Sequence, residues 1–100
     1  MPTTLLNAGK FKKFLYETTP RKRKIQIRVE SNLPIDVFIV QASDIQSWKN
    51  SDDYGGMSFL SRKLIEAEVN MPKDFEQEWY LIIENHGAKP AAVHYELFDV

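Results

Sequence analysis

The 100-residue chain has no cysteine. That excludes a disulfide scaffold, a cysteine nucleophile and a thiolate metal site, because each needs the sulfur itself. Glycine is scarce, with four residues. Its one adjacent pair, Gly55-Gly56, is not followed by Lys-Ser/Thr, so no phosphate-cradling loop is encoded. Two histidines occur, His86 and His94, and no His-Glu-x-x-His motif joins them. Long apolar runs are missing too. Val37 to Val40 gives four residues, against the roughly 18 to 20 that a membrane helix needs. Met1 to Lys10 has no basic segment ahead of a long apolar stretch, so no secretory signal is expected. These absences lead to the expectation of a cytoplasmic protein with no transmembrane segment, and zero cysteine fits a reducing compartment.

The chemistry of common enzymes is absent in the same way. None of the serines sits in a Gly-x-Ser-x-Gly elbow. Asp52 and Asp53 lie in a loop-like stretch, but no glutamate follows at an EF-hand's twelfth position. His86 and His94 fall on a turn and the following strand, and are read as structural. Asp74, Glu76 and Glu78 alternate with Phe75 and Gln77 as a solvated approach to a strand. The expectation is a protein that is not an enzyme, with no catalytic residues, no cofactor and no bound metal.

What is present is a core. Hydrophobic residues make up 43% of the chain and aromatics 12%, enough for one folded domain over residues 1–100. The dominant period is two. Lys24 to Glu30 alternates throughout, with Ile25, Ile27 and Val29 facing one way, which predicts a half-buried antiparallel strand. Asn32, Leu33 and Pro34 then break the run. Ile35 to Ala42 reads as a more central strand, and the short break predicts that the two pair as a hairpin. Ser43-Asp44-Ile45-Gln46 reads as a capping box, with Ile45 and Trp48 as an inward stripe, so a short helix is expected near residues 44–50. Lys63 to Asn70 reads as a strand with Ile65, Ala67 and Val69 inward; a helix over Phe59 to Glu68 is the alternative. Trp79 to Glu84 and Ala92 to Phe98 read as two strands joined by a turn at Asn85 to Pro90. Thr3 to Leu6 and Lys10 to Thr18 read as two more around a turn at Asn7 to Gly9, with a bulge expected at Lys12, Lys13 and Phe14. The sum is an all-β, antiparallel β-sandwich, jelly-roll-like, of about seven to eight strands with one short helix.

Two segments carry a resemblance. One is Ser31-Asn32-Leu33-Pro34-Ile35-Asp36-Val37-Phe38-Ile39-Val40, after a strand and before a short helix. The other is Trp79-Tyr80-Leu81-Ile82-Ile83-Glu84-Asn85, a turn, then Ala92-Val93-His94-Tyr95-Glu96-Leu97. From Lys10 to Leu97 the chain resembles small jelly-roll modules of the GOLD (Golgi dynamics) type and the bacterial pre-peptidase C-terminal domain. The resemblance implies a non-catalytic accessory module that docks onto another protein, such as an enzyme or effector encoded nearby. It supplies no catalytic residues. The sequence has no cysteine pair like that of the eukaryotic versions, and neither their membrane anchor nor the signal peptide and peptidase of the bacterial versions is expected.

Charge supplies the candidate binding residues. The formal net charge of -1 hides an asymmetry. Met1 to Arg28 holds eight cations against one anion, Glu17, whereas the rest of the chain holds five cations against 13 anions. Arg21, Lys22, Arg23 and Lys24 are consecutive, and Lys10, Lys12, Lys13 and Arg28 are expected on flanking strands. A basic hairpin of these eight residues offers binding to an acidic protein partner or head-to-tail self-association through steering. It also offers nucleic acid through counterion release, or anionic lipid. The competing role is a solvated turn that blunts an edge strand. Trp48, Trp79 and Tyr80 raise a third class, a carbohydrate-binding sandwich with an aromatic platform.

Overall fold

The computed structural model describes residues 3–17, 24–51, 56–70 and 77–99. Six strands fall in these residues: β1 (Thr3–Leu6), β2 (Phe11–Glu17), β3 (Lys24–Gln41), β4 (Gly56–Asn70), β5 (Glu78–Glu84) and β6 (Ala91–Asp99). A 3-10 turn (Ala42–Asp44) and the short helix α1 (Ile45–Lys49) follow β3. Every pairing is antiparallel, within one curled sheet.

The curl comes from β3. Its first half, Ile25 to Ser31, pairs with β6, and its second half, Asp36 to Gln41, pairs with β5. β4 runs beside β3 along both halves. One limb of the sheet is therefore β1-β6-β3-β4, and the other is β2-β5-β3-β4. Among the described residues the expected seven to eight strands are six, because the two segments expected as separate strands are both β3, which serves both limbs. The expected hairpin between Lys24–Glu30 and Ile35–Ala42 is not formed; those segments are one bent strand. Its corner is the Asn32-Leu33-Pro34 break, where the β3–β4 register shifts between Glu30 and Ile35. Proline has no N–H to give a ladder, and the corner needs none there. Side chains take over instead: Ser31 Oγ accepts from the Leu33 N–H at 3.3 Å, and Asn32 Oδ1 from the Ala92 N–H at 2.8 Å.

The alternation of the sequence becomes the core. Ile25, Ile27 and Val29 meet Ile35, Val37, Ile39, Ile65, Val69, Trp79, Leu81, Ile83 and Val93, all buried. Burying one such side chain is worth about 1.5 to 3 kcal/mol. Phe14 packs against Tyr95 across the space between the limbs, and Tyr16 stacks on its β5 neighbour Trp79. Burial, then the neighbouring Tyr95, raises the Tyr16 phenol above its ordinary pKa.

The turns differ from the sequence reading. β5 and β6 are not a hairpin: β5 pairs β2 and β3, and β6 pairs β1 and β3. β1 and β2 likewise lie in different limbs. Both connections are arches, and Asn85 joins them. Its backbone N–H donates to the Lys10 carbonyl and its carbonyl accepts from Gly9 N–H, at 2.9 and 2.8 Å. Gly9 can serve because its φ of 73° suits glycine. The expected bulge at Lys12, Lys13 and Phe14 is absent, since β2 pairs with β5 in unbroken register. Lys63–Asn70 is strand rather than helix, and the strand begins earlier, at Gly56. The capping box is also displaced: Ser43 falls inside the 3-10 turn, and Asp44 is the cap of α1 with no side-chain capping bond. No helix among the described residues is long and apolar enough to cross a membrane.

Candidate functional site

The outward face of the β2-β5-β3 limb is not the polar surface that a sheet exterior usually shows. Register places Phe11, Lys13 and Leu15 of β2 beside Glu84, Ile82 and Tyr80 of β5. Asp36, Phe38 and Val40 of β3 lie on the same face. Ile82 and Val40 are fully buried there. Helix α1 lays Trp48 on this face, edge-on to Phe11 at 5.0 Å and to Phe38 at 5.3 Å between ring centroids. The three rings wall an open cleft of about 710 Å³ that Lys49, Ser51, Glu84 and His86 complete.

At one end of this face three chemically active groups converge. Asp36 and Glu84 are direct cross-strand partners. Like charges in that relation repel. The His86 Nε2, from the arch after β5, lies 2.9 Å from Asp36 Oδ2 and also contacts Glu84 Oε1. All three donor atoms lie within 4.8 Å of one another. Asp36 is nearly buried, whereas the His86 side chain is 65% exposed. The other oxygen of Asp36 accepts from the Ser61 N–H at 2.8 Å, at a corner of β4 where Ser61 takes a φ of 54°. That bond fixes the carboxylate and leaves Oδ2 facing His86. His86 also lines a second cleft, of about 430 Å³, with Leu33, Pro34 and Lys89.

Of the expected basic hairpin, the described cations Lys10, Lys12, Lys13, Lys24 and Arg28 are not brought into one patch. β2 and β3 do not pair. Lys24 bonds to Glu68 at 2.6 Å, and Arg28 to Glu66 at 2.9 Å and to Glu30 at 3.5 Å, all on the exterior of the other limb. Lys12 reaches the Thr4 hydroxyl, Lys13 lies over the Tyr80 ring, and Lys10 is exposed in the β1–β2 arch. Arg21, Lys22 and Arg23 lie outside the described residues, as do Asp52, Asp53, Asp74 and Glu76. Trp79 is buried in the core and offers no platform, while Trp48 is half-exposed.

Asp36 and Glu84 escaped the sequence reading. The signal was their position: each is a carboxylate inside or at the end of a segment that is apolar on both faces. The two histidines take different partners, since His94 Nδ1 bonds the Thr3 hydroxyl at 2.8 Å. No protein-family model matches the chain, and no curated protein matches it.

Proposed function

We propose that this chain is a non-catalytic docking module that binds another protein through the cleft of Phe11, Phe38 and Trp48. The observation that carries this reading is an apolar, aromatic-walled cleft on the outside of a limb whose inner face already builds the core. Phe11, Phe38 and Trp48 are only partly buried in the free molecule, and aromatic side chains are common anchors at protein interfaces. Lys49, Glu84 and His86 add a polar rim of mixed charge. In finer detail, we read the curled sheet as a jelly-roll-like β-sandwich of the kind that the GOLD-type and pre-peptidase C-terminal resemblance implies.

The polyanion reading, through Lys10, Lys12, Lys13, Arg21, Lys22, Arg23, Lys24 and Arg28, has less support. Lys24 and Arg28 already hold glutamates. The carbohydrate reading shares Trp48 and the cleft, and competes directly with docking.

Affinity capture with the folded full chain tests the proposal. One protein should be recovered in near-stoichiometric amount at moderate salt, and Trp48→Ala should lose it. Release of the partner by free oligosaccharide would favour the carbohydrate reading. Capture of nothing but further copies of this chain would replace docking with self-association.

A further inference from the structure

We propose that Asp36, Glu84 and His86 form a binding site for a first-row divalent cation, of the Zn²⁺ or Mn²⁺ class. The site shares Glu84 and His86 with the rim of the docking cleft, but it needs no partner protein.

Cross-strand register fixes the Asp36 and Glu84 carboxylates side by side on one face. Their repulsion is relieved by a cation placed between them. The group now between them is one imidazole nitrogen, which contacts both carboxylates. A single N–H has one hydrogen to direct, so the two acceptors compete for it. A metal ion would accept a lone pair from all three atoms at once. With metal–ligand bonds of about 2.1 Å, adjacent donors around such an ion lie roughly 3 Å apart. The separation of His86 Nε2 and Asp36 Oδ2 is 2.9 Å, whereas His86 Nε2 and Glu84 Oε1 are closer and would move apart as the ion enters.

The surroundings are those of a metal ligand set. The Ser61 N–H holds Asp36 Oδ1 and so orients Oδ2, which is how second partners position ligating carboxylates. His86 is exposed and can adjust its ring. Imidazole with two carboxylates suits Zn²⁺, Mn²⁺ or Fe²⁺ better than Ca²⁺, which takes six to eight oxygens at longer range. Three protein donors leave coordination positions open, and His86 borders both clefts.

The test is titration of Zn²⁺ and, separately, Mn²⁺ into the metal-free full chain, followed by calorimetry and by the loss of the free Mn²⁺ paramagnetic signal. One equivalent should bind. His86→Ala and Glu84→Gln should each weaken binding by at least about ten-fold, with circular dichroism unchanged. His94→Ala, which alters the other histidine, should bind as wild type. Asp36→Asn keeps an acceptor for Ser61, so it should fold and still lose affinity. No uptake of either ion, equal uptake by His86→Ala, or equal loss in His94→Ala would each overturn the proposal.

Discussion

The Asn85 side-chain amide donates to the Leu6 carbonyl at 3.0 Å, joining residues 79 positions apart at the place where the two arches meet. The same amide donates to the Lys89 carbonyl at 2.8 Å, and its oxygen accepts from the Gly87 N–H at 2.9 Å. Asn85 is completely buried. Asn85→Ala should therefore leave three backbone groups short of a partner and cost about 2 to 4 kcal/mol. Urea unfolding at neutral pH checks it. A loss of less than about 0.5 kcal/mol would show that the arches hold without this residue.

Gly56 opens β4 opposite Val40. A Cβ there would stand 1.8 Å from the Ile39 carbonyl oxygen, so the β3–β4 ribbon has no room for a side chain at this point. Gly56→Ala should cost about 2 to 3 kcal/mol through forced backbone movement. A shift of the urea midpoint to lower concentration reads this directly, and an unchanged midpoint would contradict the packing.

Tyr16 sets an alkaline limit on stability. Its phenol is raised in the folded state by burial and by Tyr95, so folding favours the protonated form. The contribution is fully present below the unfolded value near 10 and is lost as pH rises through the higher folded value. Tyr16→Phe should flatten the fall in stability above about pH 10. An equally steep fall in the variant would assign that pH dependence to other groups.

Lys24 and Arg28 form their ion pairs on an exterior where each partner is about half exposed. Such pairs contribute roughly 0 to 1 kcal/mol. Arg28→Gln should change stability by about 0.5 kcal/mol or less. It should also leave retention on an anionic resin nearly intact, because its charge already faces Glu66. A large loss of retention would revive the polyanion reading.

The strands were legible because their signal is local. Alternation at Ile25, Ile27 and Val29, and at Trp79, Leu81 and Ile83, is enforced by the two-residue period of a strand. How strands join is not a local property. Asn32-Leu33-Pro34 looks like a turn because it breaks alternation and lacks an N–H, yet a corner in one strand has the same needs. Asn85 to Pro90 likewise suits an arch or a hairpin. The site was hidden for the same reason. Asp36 and Glu84 are 48 positions apart in the chain, and only the β3–β5 register makes them neighbours. The basic run was conspicuous in sequence because its charges are adjacent there; among the described cations, Lys13 lies on the exterior of the β2-β5-β3 limb, while Lys24 and Arg28 lie together on the exterior of the other.

If the cleft on the β2-β5-β3 exterior receives a protein partner, that partner lies within reach of Lys49. Photo-crosslinking tests it at the site. A photoreactive residue at position 49, inside the cleft, is compared in native cells with one at position 26, on the exterior of the other limb. One discrete protein adduct should form from position 49, be lost with Trp48→Ala, and be missing from position 26. No adduct from position 49, or equal adducts from both positions, would contradict it.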